Sequence, residues 1–338
     1  MKTIEELKNS IVDINYIIEN MIRENGLYCL LGEAKVGKSA LALQIANSVC
    51  NGIPFLNLKT NKTPVLYLST EMNPSETISR INFMECNLKE NNFLYTFPED
   101  NMTQISILKV EKEISEFKEK FDGKLVFIDM FNGINFGSYY DLNNYQDMSQ
   151  KIFPQLRKLC NDYKVTIIIV HHLNRKGKSL GSTAIDTCVD GKLALKQDEN
   201  IKSTFYLSYE SRDYQSKDYV LKRNNKLTLM LDENIKETLN PNLIQFLKYA
   251  INKKEFTFTI SEMVSKLNLF ITPPVLGKLI ASNKEELEKL GLFIECKRTQ
   301  TERLYTAKYK EPLEILTDNI FSASDSNNLD SKEDNYGS

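Results

Sequence analysis

Eight residues near the N-terminus have the types and the spacing of a phosphate-binding loop. Residues 32–39 read Gly-Glu-Ala-Lys-Val-Gly-Lys-Ser, match the pattern G-x-x-x-x-G-K-[ST], and stand between a predicted strand and a predicted helix. Glycines at these positions let backbone N–H groups converge on phosphate oxygens at the N-terminus of the helix. The predicted nucleotide-binding residues are Gly32, Glu33, Ala34, Lys35, Val36, Gly37, Lys38, Ser39 and Ala40.

Two residues of this loop and one later carboxylate are suited to separate tasks. Lys38 is expected to reach the outer phosphates, and the Ser39 hydroxyl is expected to ligate magnesium. Asp129 directly follows the apolar run at residues 125–128, and a parallel sheet delivers the residue at the end of such a strand to its carboxyl edge. We expect Asp129 to hold the same metal through water, so the predicted cofactors are ATP and Mg²⁺.

Predicted strands and helices alternate between residues 27 and 231, and these elements must position the residues named above. Short apolar runs, nearly continuous as is typical of strands covered on both faces, are separated by longer amphipathic stretches. This order predicts an α/β fold with a parallel-sheet core. The predicted strands are 27–31, 65–68, 125–128, 165–170, 191–195 and 204–207, and the predicted helices are 39–49, 74–87, 109–120 and 144–163.

The pattern changes near residue 240. The sequence then predicts a helix, a short strand, a helix capped by Ser261, a helix entered through Thr272 and Pro273, and a hairpin, which is the order of a small α+β winged-helix domain. Residues 241–310 hold 12 basic and 7 acidic side chains, a net charge of +5. Residues 311–338 hold 7 acidic side chains and one Lys, with few core-forming residues, and are expected to form a disordered tail.

Composition limits the classes of protein to consider. The 338 residues include 41% hydrophobic and 26% charged side chains, as in a globular protein of two ordinary domains. No apolar stretch is long enough to span a bilayer and no targeting segment is evident, so we expect a cytoplasmic protein without a membrane partner. The net charge of -2 does not by itself indicate binding to nucleic acid. The six cysteines are too widely spaced to indicate a zinc site.

The first 25 residues allow two interpretations. Apolar residues at positions 4, 7, 11, 14, 18 and 21 keep a heptad spacing, which would suit one long helix. We favour a helix near residues 3–12 followed by an extended lead-in.

Several segments resemble one known family. The segment Val-Leu-Tyr-Leu-Ser-Thr-Glu-Met at residues 65–72, followed by Arg80, resembles a strand and S-x-E-M segment of DnaB-type replicative helicases. The resemblance gives Glu71 the role of activating the attacking water. Residues 167–175 resemble the strand ending in Q-L-N-R of the same family, which places His172 at a γ-phosphate-sensing glutamine, and RepA-type plasmid helicases carry a paired histidine there. His171 is then a packing or orienting neighbour.

The resemblance extends to about residue 225. Residues 181–185, with Asp190, resemble the G-S-x-A-I segment before the fifth strand. Arg212 matches the arginine of the K-x-R fingers that reach into a neighbouring subunit's nucleotide, although Glu210 stands where the DnaB-type pattern has a lysine. A surface arginine is the alternative interpretation of Arg212.

A basic loop follows the sensor strand, where RecA-like rings place loops toward the central channel. This loop could contact the phosphates of single-stranded DNA, or it could be a basic loop that is only solvated. The sequence favours neither interpretation. The candidate nucleic-acid residues are Arg175, Lys176, Lys178 and Ser182.

The resemblance implies a RecA-like P-loop ATPase that works as a homo-oligomeric ring, with a hexamer favoured. The leading hypothesis is an ATP-driven DNA helicase or translocase of a plasmid, phage or other mobile element, with a primase, initiator or polymerase as candidate partners of the winged helix or tail. The alternative is a non-unwinding loader, recombination mediator or regulator. A small-molecule kinase is disfavoured because the histidine pair and the Gly-Ser segment would have no task in it.

The sequence predicts four regions. Residues 1–25 form an N-terminal helix and lead-in, and residues 26–238 form the RecA-like ATPase domain. Residues 241–310 form the winged-helix domain, and residues 311–338 form the acidic tail.

Overall fold

The computed structural model describes residues 3–5, 15–98, 104–137, 140–173, 184–198, 201–232, 240–269, 271–298 and 303–311. The chain divides into two compact units, Met1–Leu231 and Asp232–Ser338. Most of the predicted N-terminal helix and almost all of the acidic tail lie outside the described residues. No helix in the described ranges is long and apolar enough to cross a membrane.

The first unit is built on a mixed sheet, which has nine strands among the described residues, in the order β13-β12-β11-β10-β3-β9-β7-β4-β5. Strands β10, β3, β9, β7, β4 and β5 are parallel, and β11 to β13 continue the sheet antiparallel. These strands are β3 Leu27–Gly32, β4 Val65–Ser69, β5 Phe93–Thr96, β7 Leu125–Asp129, β9 Thr166–His172, β10 Gly191–Gln197, β11 Thr204–Ser211, β12 Lys217–Arg223 and β13 Leu229–Leu231.

Helices cover the sheet, and two small ladders complete the unit. Among the described residues of this unit, the α-helices of at least five residues are α1 Lys38–Asn51, α2 Pro74–Phe83, α3 Ile107–Phe121, α4 Phe153–Tyr163 and α5 Ala184–Cys188. The ladders pair β1 Tyr16–Ile18 with β2 Ile22–Arg23, and β6 Ile105–Ser106 with β8 Ile134–Asn135. Every residue of β3, β4 and β7 is buried, as expected for parallel strands between two helical layers.

The structure confirms the predicted α/β fold and corrects parts of it. The strands at 16–18 and 22–23 show that one long N-terminal helix is wrong. The helix predicted at 144–163 is interrupted by a π-helical segment, Met148–Ile152, and the one predicted at 74–87 ends at Phe83. Strands β5, β6, β8, β12 and β13 were not predicted. Four of them have at most four residues, and β12 begins and ends with charged residues.

A side chain on α1 closes one edge of the large sheet. The Gln44 amide donates to the Leu229 carbonyl oxygen at 2.7 Å, and the Leu229 N–H donates back to Gln44 Oε1 at 2.9 Å. The helix after the phosphate-binding loop is therefore hydrogen-bonded to β13 as a neighbouring strand would be.

The second unit contains the predicted succession of elements with one additional short helix. Its elements are α6 Pro241–Lys253, β14 Glu255–Phe258, α7 Ile260–Lys266, α8 Pro273–Ser282, α9 Lys284–Lys289, β15 Leu292–Arg298 and β16 Arg303–Tyr309. The strands form a sheet in the order β14-β16-β15. The predicted cap Ser261 is wrong: Thr259 caps α7, in a capping box with Glu262. Assignment of this unit as a winged helix stays a prediction.

Candidate nucleotide site

The predicted phosphate-binding loop joins β3 to α1 at the carboxyl edge of the sheet. Gly37 has φ 107°, a left-handed conformation that disfavours any side chain, and α1 begins at the next residue. Gly32 lies so close to β10 that a Cβ would stand 2.7 Å from the Leu195 carbonyl oxygen. The two glycines of the motif are thus required by backbone geometry, which leaves the N-terminal N–H groups of α1 facing out of the sheet edge.

The Lys38 side chain is buried and surrounded by acceptors. Its ammonium donates to the Gly32 carbonyl oxygen at 3.1 Å and to the Glu33 carbonyl oxygen at 2.8 Å. Burial lowers the pKa of Lys38, while the negative charges of Asp129 and Glu71 act in the opposite direction. The ammonium is therefore held at the phosphate-binding loop by backbone oxygens that a phosphate could replace.

His172 links this lysine to Glu71. Its Nδ1 lies 3.0 Å from Lys38 Nζ, and its Nε2 lies 3.5 Å from Glu71 Oε1. Because an ammonium only donates, Nδ1 accepts and Nε2 carries the proton toward the carboxylate. The Glu71 side chain is 54% exposed, so a water molecule can reach it. Three residues predicted to act in one reaction thus lie in one chain of contacts.

Asp129, at the end of β7, is almost wholly buried. Burial raises the pKa of Asp129, and the nearby Tyr67 and Ser39 hydroxyls lower it. The negative charge of Glu71 also raises this pKa, and the positive charge of Lys38 lowers it. Tyr67 donates to Asp129 Oδ2. The other oxygen, Oδ1, is buried and has no hydrogen-bond partner within the part of the chain that the structure describes.

These residues fit a nucleotide with a divalent metal. A buried carboxylate oxygen without a partner is costly, and a cation or its bound water would satisfy it. Ser39 supplies a hydroxyl beside that carboxylate, and the loop supplies N–H groups and Lys38. Ser39 and Asp129 would hold the metal, and the loop would hold the phosphates.

His171 points to the other side of its strand. Its ring is buried and meets the Phe131 ring edge-on, with centroids 5.6 Å apart. The two histidines therefore face opposite sides of β9, and His172 alone contacts Lys38.

Arg212 does not join this cluster. It follows β11, whose last residue Ser211 pairs with Gly191 at the amino end of β10, whereas the loop lies at the carboxyl end of β3. The Arg212 guanidinium donates to the Thr187 carbonyl oxygen. A whole strand length separates Arg212 from the phosphate-binding loop of its own chain.

Asp190, near Arg212, has a structural environment. It accepts from the Leu27 N–H at 2.8 Å, pairs with Arg23 at 3.3 Å, and accepts from Arg157. Burial would raise its pKa, but these partners outweigh burial and lower it. Asp190 therefore fastens the amino edge of the sheet. The residues Arg175, Lys176, Lys178 and Ser182 lie outside the described residues.

Sequence reasoning missed two groups, one in contact with Asp129 and one at the same edge of the sheet as the loop. Tyr67 lies inside the segment quoted for Glu71, but its contact with Asp129 requires the register of β4 and β7. Arg223 ends β12, at the same sheet edge as the loop, with its guanidinium 4.8 Å from the Phe205 ring centroid. The sequence signal that could have drawn attention to Arg223 is its position at the end of a strand.

Comparisons with known proteins establish the family and the fold. A family model described as an AAA domain (AAA_25) matches residues 2–178, just over half of the chain. A solved structure described as an ATPase domain aligns with a TM-score of 0.53 at 15% identity, covering 68% of this chain and 95% of that one. Another, described as a DnaB-like replicative helicase and its interactions with primase, gives 0.52 at 15% identity, covering 68% of this chain and 65% of that one. No curated protein matches. The chain belongs to the AAA-domain family, and its first unit is a P-loop ATPase of RecA-like fold.

Proposed function

We propose that this protein is an ATP-driven DNA helicase or translocase that hydrolyses ATP between the subunits of a ring. The contact chain from Lys38 through His172 to Glu71 is the observation that carries the proposal, because it joins a phosphate-binding, a sensing and a water-activating group at one sheet edge. The fold is similar to that of a DnaB-like replicative helicase, which supports a helicase over other ATP-driven activities. We extend the proposal to replication of a plasmid, phage or similar element.

The residues divide the reaction among them. Lys38 exchanges its backbone acceptors for the outer phosphate oxygens, where its charge stabilises the transition state. Glu71 orients the attacking water and accepts its proton. Once Lys38 has moved to the phosphates, His172 turns its Nε2–H from Glu71 to the γ-phosphate and reports its presence to the residues after the strand. Ser39 and Asp129 would hold Mg²⁺, which when bound would supply positive charge to the phosphates.

Arg212 completes the site in this proposal from a neighbouring subunit. Since it lies at the sheet edge opposite to its own phosphate-binding loop, it cannot serve that loop. It remains exposed for a second copy of the chain. A ring, with six subunits favoured, would provide that copy at every site.

Single-stranded DNA is the proposed track for this motor. The basic residues Arg175, Lys176 and Lys178, with Ser182, are the proposed phosphate contacts. The second unit is proposed as a winged helix that contacts DNA or a primase, initiator or polymerase. Residues 241–310 of this unit have a net charge of +5.

Glu71→Gln should keep nucleotide binding and lose at least about a hundredfold in ATP turnover, because the amide cannot accept the proton of water. Turnover by phosphate release and binding of a fluorescent ATP analogue would be measured on the same preparation. Glu76→Gln, five residues later in the capping box of α2, is the matched control and should hydrolyse ATP normally. Loss of binding in Glu71→Gln would instead give Glu71 a structural role.

A forked-duplex assay tests the motor activity itself. With ATP the protein should displace one strand, and it should fail with a non-hydrolysable analogue or as Glu71→Gln. Blocking the 3′ or 5′ tail in turn would give the direction. Vigorous DNA-stimulated ATP hydrolysis without any displacement would contradict the helicase proposal.

One observation favours a second function, that of an ATPase switch that loads or regulates a partner without unwinding. Helix α8 has Lys278 as its single charged residue, and Val275 is 42% exposed on it. Such a helix suits contact with a protein better than contact with phosphates. The displacement assay distinguishes the two functions, since both require ATP hydrolysis.

A further inference from the structure

We propose that two stacked tyrosines, Tyr67 on β4 and Tyr95 on β5, position the two carboxylates of the site separately, Tyr67 the metal-side Asp129 and Tyr95 the turn that bears Glu71. The inference rests on the proposed ATPase reaction and adds two positioning residues to it. Neither tyrosine touches the phosphate-binding loop in the contacts described above.

The first link is a diagonal contact between neighbouring strands. Ser69 pairs with Asp129 across β4 and β7, and Tyr67 stands two residues earlier on the same face. Its hydroxyl reaches past Phe127 and donates to Asp129 Oδ2. One carboxylate oxygen is thereby fixed, and the rotation of the group is set so that Oδ1 remains for another ligand.

The Tyr67 hydroxyl is suited to hold a carboxylate permanently. Tyr67 is fully buried, so its hydroxyl has no access to bulk water. Its ring packs against Phe127, with centroids 5.6 Å apart, and this packing directs the hydroxyl at the carboxylate. Orienting partners of this kind typically control how well a carboxylate serves a metal.

The second link runs from Tyr95 to the Glu71 turn. Tyr95 donates to the Met72 carbonyl oxygen at 3.0 Å and accepts from Thr77 at 2.7 Å. The Ser69 hydroxyl also donates to the Met72 carbonyl oxygen, at 3.2 Å. The residue after Glu71 is thus held from two sides, which fixes the backbone from which the Glu71 side chain extends.

The two tyrosines stack on each other, with centroids 6.0 Å apart and rings 10° from parallel. Removing either hydroxyl leaves the stack in place, because phenylalanine preserves the ring. The two roles therefore predict different defects: Tyr67→Phe should weaken the metal, and Tyr95→Phe should slow the chemical step.

The experiment compares Tyr67→Phe, Tyr95→Phe and a control, Tyr209→Phe, in the full-length chain. Tyr209 is fully buried in the same core, and its hydroxyl donates to the Met21 carbonyl oxygen, so its loss removes a comparable hydrogen bond away from the site. Mn²⁺ binding would be followed by electron paramagnetic resonance with saturating non-hydrolysable ATP analogue. Binding of a fluorescent ATP analogue in EDTA would be measured separately, as would kcat and KM at saturating Mg²⁺.

Tyr67→Phe should weaken Mn²⁺ binding by about ten- to a hundredfold while metal-free nucleotide binding stays unchanged. Tyr95→Phe should bind Mn²⁺ like the parent and lose about ten- to a hundredfold in kcat with little change in KM. Tyr209→Phe should match the parent in all three measurements.

Parent-like Mn²⁺ binding by Tyr67→Phe would overturn the role of Tyr67, and parent-like kcat in Tyr95→Phe would overturn that of Tyr95. Equal defects in the control would show a general loss of packing and overturn both. These outcomes are separate from the motor proposal: a parent that hydrolyses ATP without displacing DNA refutes the helicase alone. A parent that fails to bind nucleotide refutes the ATPase reaction and, with it, both positioning roles.

Discussion

Lys38→Ala is expected to reduce ATP turnover by roughly 10³-fold or more. Among the described residues, no other cation of the same chain contacts the acceptors around Lys38, so no other side chain could replace its charge. Loss of this ammonium leaves the developing charge on the γ-phosphate oxygens without its partner at a buried position, where charges interact more strongly than in water. Phosphate release at saturating ATP would measure the loss.

Two further variants make this result specific. Lys38→Met keeps most of the aliphatic length without the charge, and should be as inactive as the alanine variant. Lys112→Ala removes an exposed lysine of α3 and should keep parent activity. Thermal unfolding of all three would verify that they fold. Near-normal turnover in a folded Lys38 variant would refute the site.

Arg212→Ala is expected to bind ATP normally and to lose roughly 10³-fold in turnover, the scale associated with an arginine supplied to a phosphoryl transition state. We expect this defect to arise at the proposed interface between subunits, because Arg212 lies a strand length from its own loop. Mixing Arg212→Ala with Lys38→Ala should therefore restore part of the activity, since a mixed interface pairs an intact loop with an intact arginine.

The mixing experiment has a built-in comparison. Lys217→Ala changes an exposed cation on the same hairpin and should be neutral. Arg223→Ala tests the other arginine, the one at the loop edge of the sheet. If subunits exchange but Arg212→Ala hydrolyses ATP at the parent rate, the Arg212 assignment is wrong. If Arg223→Ala then shows the loss and the rescue, Arg223 is the residue that acts in trans.

The sequence predicted those parts of the site that depend on local order. The loop at 32–39, the strand before Asp129 and the strand before His172 each combine a recognisable run with its flanking element, so their location at one sheet edge followed from parallel-sheet geometry. Which ends of the antiparallel strands meet that edge depends on the whole sheet order, and for this reason the distance of Arg212 from its own loop could not be predicted. The Tyr67 contact likewise depends on pairing between strands 60 residues apart in sequence.

Finer details also depended on tertiary contacts. Ser261 and Thr259 are both good cap residues, and the difference lies in Glu262, which completes a capping box only with Thr259. The π-helical segment before Phe153 leaves the overall hydrophobic spacing intact, so a continuous helix was the natural interpretation.

The Gln44 contact limits how copies of this chain can associate. Strand β13 ends the sheet within the described residues, and a free strand edge ordinarily invites a strand from another molecule. At Leu229 both backbone groups are already taken by Gln44. An incoming strand would have to displace that amide from the helix that follows the phosphate-binding loop. Self-association by strand addition is therefore disfavoured at this edge, and the proposed ring would use other surfaces of the chain.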